Sequence, residues 1–269
     1  MNIISEVLLK KRRNSQCALI PFLTAGYPSI ELTVKALVEL DKRGADIIEL
    51  GIPYSDALAD GPLIQYASKV ALDKGTYIDQ VFFILKLVSN QISVPIVIFT
   101  YYNPILVYGL HKFIQKIAKL GVKGLIIPDL PIEETNYIGI LCKYYRLELI
   151  FFVSPTSSKS RIADILSKAP GCIYLVSSTG VTGIRNSIDL SIHFLSNYIE
   201  SQTNKLIMLG FGISSTTQVS RILQSKSSIN GIVIGSAFTN ILSCCSDGTK
   251  ANIIKKLGDF CEQMKLAMF

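Results

Sequence analysis

Eight short apolar runs rich in β-branched residues recur along this 269-residue chain: Cys17 to Leu23, Ala45 to Leu50, Pro95 to Tyr101, Gly124 to Pro128, Leu147 to Val153, Cys172 to Ser177, Lys205 to Gly210 and Gly231 to Gly235. Between them lie stretches with apolar residues at helical spacing, such as Ser29 to Arg43 and Thr249 to Lys265. Strands that are apolar throughout belong in a sheet covered on both faces, and helices are the covering elements available here. Eight such units predict an α/β fold, a (β/α)8 TIM barrel.

Composition narrows the class further. Hydrophobic residues make up 49% and charged residues 17%, which demands a large buried core and excludes a disordered chain. No apolar run approaches the roughly 18 residues of a membrane span, so no membrane partner is expected. No linker or composition break divides residues 1–269, which predicts one domain. The opening stretch, Met1 to Gln16, has apolar positions at helical spacing ahead of Lys10, Lys11, Arg12 and Arg13. That order predicts an extra N-terminal helix, not a signal peptide. The four cations either complement that helix's C-terminal dipole or bind an anion.

The net charge of +7 is spread along the chain and mildly favours anionic ligands. No basic face interleaved with aromatics is visible, so nucleic acid is not an expected partner. Cys17, Cys142, Cys172, Cys244, Cys245 and Cys261 form no CxxC pair and read as reduced thiols of a cytosol-like compartment. With only His111 and His193 available, no metal site is expected.

The chemistry concentrates in Ala45 to Pro62, ADIIELGIPYSDALADGP. Glu49 ends an apolar strand on the same face as Ile47, so an inward-facing strand would desolvate its carboxyl and raise its pKa. Asp60 lies in the following Gly/Pro-bounded loop, where it is expected to stay ionised and move with that loop. The bland alternatives are a structural carboxylate at Glu49 and a turn-forming aspartate at Asp60. The longer connections, Gly51 to Pro62 and Ser178 to Ser187, follow strands two and six on the C-terminal face, where barrel active sites form. Glycine-bearing turns after the last three strands, Thr179 to Gly183, Gly210 to Ser215 and Ile234 to Ala237, suit a phosphate site, with Ser236 adding a hydroxyl. Phe22, Tyr101, Asp129 and Tyr174 stand at strand ends and suit an aromatic ligand. The tyrosines could equally be ordinary core-edge residues, and Asp129 could cap a helix beginning near Glu133. No lysine stands at a strand's C-terminal end, since Lys123 and Lys205 precede theirs, which disfavours a Schiff-base aldolase.

These segments resemble the tryptophan synthase alpha chain family closely. The likeness runs through Ile20 to Pro28, Glu49 to Pro62, Thr100 to Pro104, Pro128 to Glu134, Ser177 to Gly183 and Gly210 to Ser215, and is most specific in the string from Glu49 to Pro62. The resemblance implies cofactor-free retro-aldol cleavage of indole-3-glycerol phosphate, and a beta-chain partner in an alpha2beta2 heterotetramer. It implies that Glu49 is the general acid/base, that Asp60 binds the indole nitrogen, and that Phe22 packs on the indole. Tyr101 and Tyr174 would support that geometry. Thr182 would hold Asp60 on loop closure, and Gly183, Gly212, Gly235 and Ser236 would contact phosphate. Two positions depart from the family pattern: Ala57 replaces a usual proline in a loop expected to face the beta chain, and Ser178 replaces a frequent arginine. The composition suits a bacterial cytosol or a plastid-encoded protein. Two other readings stand beside this one, a different phosphate-binding barrel isomerase and a non-catalytic barrel that activates a partner.

Overall fold

The computed structural model describes residues 2–176, 190–210, 212–225, 227–243 and 249–269. Helix α1 (Ile3–Arg13) precedes β1 (Ala18–Thr24), α2 (Ile30–Lys42), β2 (Ile48–Gly51), α3 (Pro62–Asp73), α4 (Ile78–Val88) and β3 (Ile96–Phe99). Then come α5 (Tyr102–Tyr108), α6 (Leu110–Lys119), β4 (Gly124–Ile126), α7 (Thr135–Tyr144), β5 (Glu148–Val153), α8 (Lys159–Lys168) and β6 (Cys172–Val176). The chain finishes with α9 (Leu190–Gln202), β7 (Leu206–Gly210), α10 (Thr216–Gln224), β8 (Gly231–Ile234), α11 (Ser236–Ser243) and α12 (Lys250–Leu266). The strands pair in parallel in sequence order, and β8 closes on β1, giving the expected TIM barrel with its extra N-terminal helix.

Two apolar layers hold this architecture. One lies between barrel and helices, where Leu37, Leu40, Ile84 and Phe113 are fully buried. The other fills the barrel lumen with inward-facing residues from alternating positions: Ala18, Ile20 and Phe22 from β1, Val97 and Phe99 from β3, Cys172 and Tyr174 from β6. Period-two alternation thus decides which residues reach the lumen, although every strand is buried on both faces.

Helix α1 closes the N-terminal end of the barrel. Ile4 and Leu8 join the lumen cluster, and the buried Glu148 carboxylate accepts the Ser5 backbone N–H (3.1 Å), the Ser5 hydroxyl and the Cys172 N–H (2.9 Å). Lys11 pairs with Asp46 at 2.9 Å, Lys265 of α12 pairs with the same carboxylate, and Asp46 also accepts the Leu19 N–H at 2.8 Å. Of the four cations near the end of α1, Lys11 therefore serves as a tertiary tether. Among the described residues no helix is long and apolar enough to cross a membrane. Cys17, Cys142, Cys172 and Cys261 are buried free thiols, while Cys244 and Cys245 lie outside the described residues.

Candidate active site

At the opposite end of the barrel the lumen opens into a cleft lined by Phe22, Glu49, Asp60, Gly61, Ile64, Phe99, Tyr174, Gly212, Ile213, Val233, Gly235 and Ser236. The lining is mostly apolar, with a few polar groups, as expected of a site for an aromatic ligand.

Glu49 reaches the cleft because β1 and β2 pair with Phe22 opposite Glu49, and Glu49 opposite Val97 of β3, all facing inward. It is only 2% exposed, and burial pushes its carboxyl up to about 8, with the nearby Asp60 charge acting in the same direction. Asp60 is more buried than a residue in an irregular loop would suggest. It is 8% exposed, and burial raises its carboxyl to about 6, against a hydrogen bond from the Tyr101 hydroxyl that favours the charged form. The loop folds inward at this point because Ala57 packs into the lumen cluster and a turn returns the chain, with the Asp60 N–H donating to the Ala57 carbonyl at 3.1 Å. Near pH 7 the pair favours a proton on Glu49 and a charge on Asp60.

The aromatic residues form one supporting chain. Phe22 and Phe99 meet edge to face at 5.7 Å, and Phe99 makes similar contacts with Tyr101 at 6.2 Å and Phe152 at 6.3 Å. Phe152 in turn meets Tyr174 at 4.7 Å. Phe22 lies against two glycines: a Cβ at Gly51 would stand 2.6 Å from Phe22 Cζ, and one at Gly235 would stand 3.3 Å from Cδ1. Tyr174 is 3% exposed, and burial holds its phenol well above the ordinary range. Tyr101 stands behind Asp60 and off the cleft wall, where its hydroxyl accepts the Ala59 N–H at 3.0 Å while donating to Asp60.

Gly212, Gly235 and Ser236 all line the cleft, and Ser236 opens α11, whose first-turn N–H groups suit an anion. The Gly212 carbonyl accepts from the Gln218 side chain at 3.3 Å, and the same side chain accepts the Ser214 N–H at 2.8 Å, which fixes that loop to α10. Thr182, Gly183 and Ser178 lie outside the described residues.

Asp129 has a different place from either expectation. It is not on the cleft wall and does not cap the helix that follows it; its Oδ1 accepts the Tyr102 N–H at 2.8 Å, capping α5 in the preceding unit. Ile64, Phe99, Ile213 and Val233 line the cleft without having been singled out in the sequence. Phe99 and Val233 were accessible to period-two counting along their strands, whereas Ile64 on a first helical turn carries no such signal. Among the described residues no group of three or more His, Cys, Asp or Glu is placed to hold a metal ion.

Comparison with known proteins agrees along the whole chain. The family model described as tryptophan synthase alpha chain matches residues 8–268. A tryptophan synthase alpha chain from Gracilaria tenuistipitata var. liui is 56% identical over 268 residues, covering 100% of this chain and 97% of the relative. One from a Cyanothece species is 44% identical over 265 residues, covering 98% and 97%. The solved structure of tryptophan synthase subunit alpha from Legionella pneumophila matches with a TM-score of 0.86 at 30% identity, covering 100% of this chain and 98% of that one. On this evidence the chain belongs to the tryptophan synthase alpha chain family.

Proposed function

We propose that this chain cleaves indole-3-glycerol phosphate to indole and glyceraldehyde 3-phosphate through Glu49 and Asp60, acting in different protonation states. The observation that carries the reading is the pair itself, two carboxylates on one apolar cleft, with Glu49 raised to about 8 and Asp60 to about 6. Protonated Glu49 donates to indole C3, and Asp60 accepts a hydrogen bond from the ring N–H as positive charge develops there. Glu49, now ionised, takes the proton of the hydroxyl on the side-chain carbon attached to the ring. The bond from that carbon to C3 then breaks, its electron pair returns to the ring to give indole, and the carbon becomes the aldehyde of glyceraldehyde 3-phosphate. Glu49 ends with its proton restored, so no external acid, base or oxidant is consumed.

The remaining assignments follow from placement. Phe22 offers a ring for the indole, Tyr174 lies on the wall beside the two acids, and Tyr101 orients Asp60 from behind. Gly212, Gly235 and Ser236 take the phosphate. Thr182 and Gly183 are assigned to loop closure and phosphate binding on the family pattern. Residues 1–269 act as one domain, supported by the barrel's closure from β1 to β8 with α1 sealing its base.

A beta-chain partner in an alpha2beta2 assembly is proposed from family membership, supported by the exposed Leu58 and Val107 on the β2–α3 loop and α5. Relatives from red algae and cyanobacteria support a plastid stroma or bacterial cytosol. The test is indole release by the purified chain, with and without a beta chain. Release that disappears in a folded Glu49→Gln variant supports the reading. Wild-type turnover in that variant refutes the role of Glu49, and beta-chain activation without any indole favours a binding module.

A further inference from the structure

The turn that delivers Asp60 is held from one side by a residue that no part of the reaction requires as a reactant. Gln65 lies on the first turns of α3, and its backbone N–H donates to the Gly61 carbonyl at 2.9 Å, which fixes it in the helix. Its side-chain Nε2 donates to the Ala57 carbonyl at 3.1 Å and to the Asp60 carbonyl at 3.0 Å. These two carbonyls are the ends of the turn that the Asp60 N–H closes onto Ala57. One amide group therefore spends both hydrogens on the two ends of one turn, tying the turn to a rigid helix.

Apart from that tie, the turn is held by the Ala57 side chain in the lumen cluster and by its own closing hydrogen bond, neither of which reaches a rigid helix. Leu58 and Ala59 at its corner are exposed, Leu58 to 87%, and Ala57 leaves its own backbone unrestricted. The other side-chain contact at the corner is the Tyr101 hydroxyl, which accepts the Ala59 N–H. Yet Asp60 must present its carboxylate to a ring nitrogen within hydrogen-bond reach, where small displacements are costly.

We propose that Gln65 is a positioning residue, stapling the Ala57–Asp60 turn to α3 so that the Asp60 carboxylate is held in the cleft before substrate arrives. The inference rests on the role proposed above for Asp60. Gln65 is not among the residues that line the cleft, and its side-chain amide bonds the turn's backbone, so its loss should spare substrate binding and slow the chemical step.

The test compares wild type with Gln65→Met, which keeps the length and packing of the side chain but has no donor. The enzyme is assayed for indole formation with its beta chain present, across pH, and its thermal midpoint is recorded. The expected result is kcat lowered about 10- to 100-fold with KM within about twofold of wild type. The acid limb of the kcat/KM profile should also move to lower pH as the Asp60 carboxyl is rehydrated among its neighbours Glu49, Tyr101 and Tyr174. Unchanged kcat overturns the proposal. So does a loss of kcat that accompanies a lowered thermal midpoint with the acid limb in place, because that is the mark of a merely structural side chain. Failure of the underlying reading would show separately, as wild type that forms no indole.

Discussion

Tyr174 lies directly over Gly210 on the neighbouring strand: a Cβ built on Gly210 would stand 2.0 Å from the Tyr174 hydroxyl oxygen and 2.4 Å from two ring carbons. β6 and β7 run side by side here, with Tyr174 opposite Met208 and Val176 opposite Gly210, so the ring leans along the barrel wall into space that only glycine leaves open. Gly210→Ala should therefore move the Tyr174 ring into the cleft and lower kcat/KM by about 10- to 100-fold. A second change, Tyr174→Leu, should recover part of the loss. Steady-state kinetics of both single variants and the double variant check this, and a double variant no better than Gly210→Ala would contradict it.

Removing the carboxyl at position 49 separates activity from stability. Glu49→Gln should reduce kcat by about 100- to 10,000-fold, the range of general acid/base catalysis. The native chain holds a proton on Glu49 up to about 8, whereas an unfolded carboxyl releases it near 4.5. The stabilisation linked to this proton is full below 4.5 and is lost as pH rises through 8. Glu49→Gln should thus match wild type in urea unfolding near pH 4 and exceed it by up to about 5 kcal/mol near pH 9.

The pH profile of kcat/KM should be bell-shaped. Its acid limb falls where the pair with Asp60 near 6 takes up a proton, and its alkaline limb where Glu49 near 8 loses one. In Tyr101→Phe the hydrogen bond that favours the Asp60 carboxylate is gone, so the acid limb should move to higher pH. An acid limb that stays in place in this variant would show that Tyr101 has no hold on Asp60.

At the far end of the barrel, Ser5→Ala should destabilise the chain by about 1–2 kcal/mol, because it leaves buried Glu148 short of a charge-assisted hydrogen bond. KM and kcat should not change, since this contact lies beneath the lumen and away from the cleft. Chemical denaturation alongside activity measurements checks both halves.

How far the chain could be read in advance depended on the range of the interaction. All eight strands were legible, because a doubly covered strand must be apolar throughout; their ends shifted by a few residues, as at β2, expected from Ala45 and observed from Ile48. Asp46 in that margin is a hub for Leu19, Lys11 and Lys265, a role that no local pattern announces. Asp129 illustrates the same limit. Its spacing suited a cap for the next helix, but barrel curvature brings it to the first turn of α5 instead.

By itself the sequence determined the repeating units, the inward face of β2 and hence the burial of Glu49, because both strand covering and side-chain alternation are local properties of the backbone. Only the tertiary structure decided the fate of Asp60. A loop residue was expected to stay ionised and move with its loop; in the fold, Ala57 packing into the lumen, Gln65 reaching back from α3 and Tyr101 reaching across from the end of β3 draw it into a desolvated place beside Glu49. Those three residues are spread over 45 positions of the chain, from 57 to 101, and closure of the barrel is what brings them to one carboxylate.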